Sequence, residues 1–242
     1  MVGRRAFTLI ELLVVIAILG ILASLLLPAL ARARVQGRQA LCRAHVRQVS
    51  IATRMLADEQ EGRYPAPSAS SPWPERLGAV AATNAFGLLR CPEDRRLKLA
   101  FSGATESTES KWDRVSYWMN GFRDYFEAVL ESEDLKLLGK GRFEGGMPET
   151  EVGSPSDTIL VGERRAGAVT LYATILPLSS DFLQDAEESR HGGPAGGPGG
   201  AANYAFFDGS VRSIRYGKAT CPVNLWAVRS EWRTNAALCR PR

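Results

Sequence analysis

The chain changes its solvent preference abruptly near residue 31. From Leu12 to Ala31 no residue carries a charge, and Leu, Ile, Val and Ala fill nearly every position. The hydrocarbon core of a bilayer is about 30 Å thick and takes ~20 apolar helical residues. Phe7 to Ala31 meets that length and is predicted to be a membrane-spanning helix. Glu11 is the lone carboxylate in this stretch. An ionised group costs several kcal/mol or more in hydrocarbon, so an intramembrane acid marks a functional position. Gly20 and Pro28 interrupt the run; the first weakens a helix and the second removes a backbone donor. Both fit a local loosening that lets packed helices extend or bend.

Past Ala31 the pattern becomes amphipathic. Cys42, Val46, Val49, Thr53 and Leu56 recur at three- and four-residue steps and mark one buried face. Gly62 and Pro65 are stop signals, so a continuous helix from Phe7 to Glu61 is expected, ~80 Å long. Pro65 to Pro74 reads as a surface loop. Trp73 to Leu89 is predicted to hold a short helix ending near Cys91-Pro92. Phe122 to Leu138 reads as one amphipathic helix burying Tyr125, Val129, Leu130 and Leu137. Residues 158–161 and 169–176 are strand-like and rich in β-branched side chains. Asn203 to Phe207 and Ser210 to Tyr216 flank Asp208-Gly209, which predicts a hairpin with a two-residue type I′ turn.

Composition narrows the functional classes. The 242 residues allow one membrane helix and one sizeable head, and the formal net charge is +4. Removing Met1 to Ala6 takes away Arg4 and Arg5 and leaves +2, which does not argue for nucleic acid. Arg32, Arg34, Arg38, Arg43, Arg47 and Arg54 occupy a window with no acid before Asp58. Such a window is a solvated helix face or a contact for anionic headgroups. The chain has two histidines, His45 and His191, and no nucleophile elbow or phosphate-binding glycine loop. Catalysis therefore has little support, and no catalytic residue is expected. His45 reads as structural.

A cleaved secretory signal would carry an apolar region of roughly 7–15 residues, shorter than the run here. The stretch Phe7-Thr8-Leu9-Ile10-Glu11-Leu12-Leu13-Val14-Val15-Ile16-Ala17, after the short basic leader Met1 to Ala6, instead resembles the type IV pilin and type II secretion pseudopilin family. The resemblance implies a prepilin peptidase cutting between Ala6 and Phe7, methylation of the new Phe7 amine and retention of the helix. It departs from the usual pattern in one residue: Ala6 stands where Gly is common before the cut. Pro28 falls where these proteins commonly carry proline. In the family the acid at the Glu11 position pairs with the terminal amine of a neighbouring subunit. The positive-inside rule would put the Arg32 side in the cytoplasm; the leader-like segment puts Arg4 and Arg5 there and the head outside, and it is the more specific signal.

Toward the other end, Arg190-His191-Gly192 precedes Asp208-Gly209, with sixteen residues, Gly192 to Phe207, in between. This is similar to the C-terminal signature of a pseudopilin-like subfamily in which nine residues intervene. The excess resembles a Gly/Pro insertion at 192–200. Cys91-Pro92-Glu93-Asp94 and Ile159-Leu160-Val161-Gly162-Glu163 also look like motifs of that subfamily. His191 and Asp208 are expected to brace the hairpin through a mutual contact; the alternative is a metal or ligand site. The four cysteines, Cys42, Cys91, Cys221 and Cys239, form no Cys-x-x-Cys pair, so a zinc ribbon is not expected. In an oxidising compartment the favoured pairs are Cys42–Cys91 and Cys221–Cys239; the alternative is four free thiols.

The expected protein is thus an α+β, pilin-like subunit, its long N-terminal helix packed on an antiparallel β-sheet head. Its segments are a leader (1–6), a membrane and filament-core helix (7–31), an exposed continuation (32–61) and an extracytoplasmic head (62–242) with the His…Asp-Gly segment at 190–216. The resemblance implies a single-pass protein of the bacterial inner membrane, its head periplasmic or extracellular. The implied partners are prepilin peptidase, other pilin or pseudopilin subunits and a secretion or pilus assembly platform. No cofactor and no metal are implied. The alternative function is a membrane-anchored binding module that uses the leader but does not polymerise.

Overall fold

The structure, a computed structural model, describes residues 9–80, 85–94, 115–165, 168, 170–174, 185–193 and 199–234. Ala6, Phe7 and Cys239 lie outside the described residues, as do the expected strand positions Val169, Ile175 and Leu176 and most of the Gly/Pro insertion. The chain divides into two compact units, Met1–Ala40 and Leu41–Arg242. The boundary falls inside the first helix, α1 (Leu9–Glu59).

In the first unit, α1 exposes apolar side chains all round, from Leu9 to Leu30. It is long and apolar enough to cross a membrane. A helix apolar on every side is at home only in lipid or among other helices. Pro28 sits within it without ending it.

In the second unit the same helix turns amphipathic. Cys42, Val46, Val49, Thr53, Leu56 and Ala57 are buried, on the three- and four-residue spacing that marks a single face. The helix closes at Glu59, and Gly62, at φ 75°, reverses the chain. The segment expected to be a surface loop is only partly one. Arg63–Pro65 forms strand β1, and Tyr64, Pro65, Ala66, Pro72, Trp73 and Pro74 are buried. Helices α2 (Trp73–Val80) and α3 (Ala85–Leu88) follow.

The expected single helix over 122–138 is broken into α4 (Arg123–Val129) and α5 (Ser132–Gly139). Leu130 adopts an extended backbone (ψ 144°) and Phe122 a left-handed one (φ 52°). The break resets the helical phase, so Tyr125 is buried while Val129 and Leu137 stay exposed.

Five strands form the main sheet: β2 (Tyr117–Asn120), β4 (Ile159–Glu163), β5 (Tyr172–Ala173), β6 (Ala201–Phe206) and β7 (Val211–Arg215), in the order β5-β2-β4-β6-β7. All neighbours are antiparallel except β2 and β5, which run parallel. A separate two-stranded ladder joins β1 to β3 (Gly146–Pro148). Alternation sorts the side chains of the sheet onto two faces. Tyr117, Met119 and Ala205 share a core with Cys42, Val46 and Val49 of α1. Trp118, Tyr204 and Phe206 share the opposite core with Trp226. The central strand β4 is buried along its whole length because both its faces are covered.

The β6–β7 hairpin is present, but its turn is not the expected one. Gly209 N–H donates to Phe206 O at 3.0 Å, Phe206 N–H donates to Ser210 O at 2.9 Å, and the Asp208 carboxylate accepts the Ser210 N–H at 2.8 Å. Of residues 207–210 only Gly209 has positive φ (81°). A type I′ turn needs two such residues; one glycine at the end of a three-residue loop makes the bulged alternative.

Polar side chains fasten the C-terminal segment. Asn120 donates to Ile159 O and Trp226 O at 2.8 and 2.7 Å, and Asp124 accepts the Val228 and Arg229 N–H groups at 2.7 and 2.8 Å. Gly162 makes the Trp226 contact possible: a Cβ there would meet the Trp226 and Tyr204 rings at 2.8 Å. Overpacking of that kind costs about 1–3 kcal/mol. Gly162→Ala is therefore expected to lower stability by that amount, read as a reduced denaturation midpoint of the detergent-solubilised chain. An unchanged midpoint would mean the two rings yield freely.

Candidate functional site

Two features carry candidate chemistry. The first is Glu11, in the first turn described for α1. The second is a polar cluster in the core of the second unit, built on Glu163.

Glu163 ends β4 and is fully buried. One of its carboxylate oxygens, Oε1, is the meeting point of three side chains. Cys42 Sγ lies 3.2 Å away, His191 Nε2 2.8 Å and Asn203 Nδ2 3.1 Å. A carboxylate offers only lone pairs, so all three donate to it. The other oxygen, Oε2, lies 3.7 Å from Arg190 Nε. Arg190 reaches Asp94 Oδ2 at 3.5 Å and donates to Ser116 O at 3.2 Å and to Arg164 O. Ser116 Oγ in turn donates to Asp94 at 2.7 Å. Two further contacts brace the cluster: Tyr117 OH lies 3.2 Å from Cys42 Sγ, and Ser213 Oγ donates to Asn203 Oδ1 at 2.5 Å. Cys91 Sγ completes it, 3.9 Å from His191 Nε2.

Four distant segments deliver these groups. Cys42 comes from the buried face of α1, Cys91 from the turn after α3, and Glu163 from β4. His191 is held by a two-way backbone bridge with Ala201, at 2.9 Å each way. The ligand-type atoms of Cys42, Cys91, Glu163 and His191 all lie within 4.8 Å of one another, and all four residues are buried. Two sulfurs, one imidazole nitrogen and one carboxylate oxygen are donors of the kind that hold a divalent metal ion.

Burial would push the Glu163 carboxyl up, but the Arg190 charge and the His191 hydrogen bond overcome it and hold the carboxyl below its usual range. Burial would likewise lower His191; its bonds to Cys91 and Glu163 win and push it up to about 9. Burial raises the Cys42 thiol, while the contact with Cys42 lowers that of Cys91.

These contacts revise several sequence expectations. His191 bonds Glu163 and not Asp208, which is exposed at the hairpin tip. The reason is geometric: Asp208 lies in the loop beyond β6, whereas His191 pairs with Ala201 at the opposite end of that strand. Cys42 and Cys91 are adjacent, as their expected pairing requires, yet both are free thiols. Cys221 is disulfide-bonded, and Cys239, its expected mate, lies outside the described residues. His45 donates to Arg90 O at 2.8 Å. Arg54, in the basic window, pairs with Glu149 at 2.7 Å. Glu163 stands out in sequence only as part of a strand motif. Its contacts to Cys42 and Asn203 span 121 and 40 residues, beyond any local pattern.

Among known families, residues 1–27 match the prokaryotic N-terminal methylation motif. No curated protein and no solved structure matches. The motif covers the leader, Phe7, Glu11 and most of the apolar helix. It supports a pilin-type or pseudopilin-type precursor, and the apolar helix fits a membrane-anchored one.

Removing one partner of a buried ion pair strands the other and costs about 3–5 kcal/mol. Arg190→Met is expected to lose stability on that scale by stranding Glu163, measured by urea unfolding of the solubilised chain. A loss no larger than that of an exposed-arginine control such as Arg212→Met would show that His191 alone neutralises the carboxylate.

Proposed function

We propose that this chain is a structural filament subunit, made as a membrane-anchored precursor and assembled into a type II secretion pseudopilus or a type IV pilus-like fibre. The observation that carries the reading is the methylation motif on residues 1–27, continued without a break by a helix apolar on every side. Prepilin peptidase cuts between Ala6 and Phe7, and the Phe7 amine is methylated. The helix then holds the subunit in the inner membrane as a single pass, with the head on the periplasmic or extracellular side.

Assembly follows from the energetics of the helix. In lipid its side chains are solvated by acyl tails as apolar as themselves, so leaving the bilayer requires helix–helix packing to replace those contacts. Glu11 adds direction. Its carboxylate, in the first turn of α1, attracts the cut amine of a neighbouring subunit, and Coulomb attraction is large where the dielectric is low. An isolated charge there is costly and a paired one much less so, so the pair sets the axial register of one subunit on the next. Gly20 and Pro28 supply the loosening that packing into a fibre requires. The assembly platform and the other subunits are the partners this reading implies.

Two measurements test it. The mature protein is expected to begin with N-methyl-phenylalanine at Phe7; an intact Met1 would overturn the processing step. Glu11→Ala is expected to reach the membrane at normal abundance but to fall at least ~10-fold in the sheared filament fraction, the loss expected from ~1.4 kcal/mol at each subunit contact. Normal filament yield from Glu11→Ala would refute the pairing. Absence of the unaltered chain from sheared filaments would favour the tethered binding module.

A further inference from the structure

We propose that Cys42, Cys91, Glu163 and His191 form a closed structural site for one zinc ion. The proposal goes beyond the filament reading and does not depend on it. All four donors are buried, and their ligand atoms lie within 4.8 Å of one another. In a tetrahedral zinc site, with Zn–S about 2.3 Å and Zn–N or Zn–O about 2.0–2.2 Å, neighbouring ligand atoms stand roughly 3.3–3.8 Å apart. Here Cys42 Sγ to Glu163 Oε1 is 3.2 Å, His191 Nε2 to Glu163 Oε1 is 2.8 Å, and Cys91 Sγ to His191 Nε2 is 3.9 Å. These three pairs stand within about half an ångström of zinc geometry, and the remaining pairs lie within 4.8 Å. Four protein ligands leave no open position, which marks a structural and not a catalytic centre.

The surrounding shell fits the same ion. Tyr117 OH lies against Cys42 Sγ, Asn203 donates to Glu163 Oε1, and Arg190 faces Glu163 Oε2. Such outer contacts orient metal ligands and damp their charge. Two thiolates and one carboxylate exceed the charge of zinc by one negative unit, and Arg190 offsets it; with Asp94 counted, one negative charge remains. Binding involves no redox change. The ion displaces the protons of Cys42 and Cys91 and the one that His191 Nε2 holds toward Glu163; all three leave to solvent, and the resulting neutral imidazole gives its Nε2 lone pair. Affinity therefore rises with pH. A Cys42–Cys91 disulfide is the rival fate of the same sulfurs. It would use the two thiols and leave no role for the convergence of His191 and Glu163 on the same point.

The test uses the full chain, extracted in detergent without chelator and carrying no histidine tag. Elemental analysis is expected to find one zinc per chain. After removal of the metal under a thiol-free reductant, one equivalent of cobalt(II) is expected to bind with the visible absorption of a tetrahedral thiolate-bound ion. Cys91→Ser and His191→Ala are expected to abolish stoichiometric zinc, while Cys221→Ser keeps it. Asn203→Ala leaves every ligand in place and is expected to weaken zinc ~10–100-fold. It guards against a ligand variant that simply fails to fold. Substoichiometric zinc in the folded, reduced chain would overturn the proposal. So would a cobalt spectrum lacking thiolate bands, or a Cys42–Cys91 disulfide in non-reduced peptides from the native membrane.

Discussion

A carboxylate with no access to water organises the second unit. Glu163 is fully buried, and an ion in that position is stable only if hydrogen-bond donors and a countercharge compensate it. They come from α1, from β6 and from the two-residue corner Arg190-His191. Apolar packing is non-directional, so it would tolerate small slips of helix on sheet. Hydrogen bonds are directional and short. One residue of slip on β4 would turn Glu163 to the opposite face, toward Trp118 and Trp226 and away from its donors. The carboxylate thus fixes a register that the surrounding Val, Tyr and Met side chains only favour.

Helix α1 meets two different demands in one element. Its first half is apolar on every side, a character that suits lipid or packing among other helices. Its second half needs a single apolar face, because β2, β4 and β6 occupy that side alone. The sequence changes from one pattern to the other without a helix-ending signal, so continuity of the backbone is kept while the environment changes. Pro28 falls before the change, among residues that make no buried contact, where a missing hydrogen bond disturbs no packed core.

Periodic features were legible in the sequence. The face Cys42, Val46, Val49, Thr53 and Leu56 is buried as its spacing requires, and the strands at 159–163, 201–206 and 211–215 fall close to their expected places. The turn between the last two is not legible in the same way, because Asp-Gly suits both a two-residue turn and a bulged one, and only the register decides. The break in the helix over 122–138 is hidden from the sequence, because periodicity carries no mark of the extended Leu130. The polar cluster was legible only as fragments: two cysteines, a strand ending in Glu163, and an Arg-His pair. Its assembly depends on α1 crossing the sheet at β4, a tertiary fact that local spacing does not encode. Pairing His191 with Asp208 followed their shared motif, but β6 separates them by its whole length.

The position of Cys42 has a consequence for how the parts cooperate. It is the first buried residue of α1. The polar cluster therefore grips the helix at the beginning of its packed face, not in the middle. A force applied along the helix reaches the Cys42–Glu163 contact before it reaches Val46, Val49 or Thr53. Apolar contacts of that kind yield one side chain at a time. A contact at the leading edge with ligand-type groups from three other segments ties four parts of the chain together there. Chemistry that strengthens this edge protects the core behind it, so the polar cluster and the apolar face act in series, with the polar cluster first.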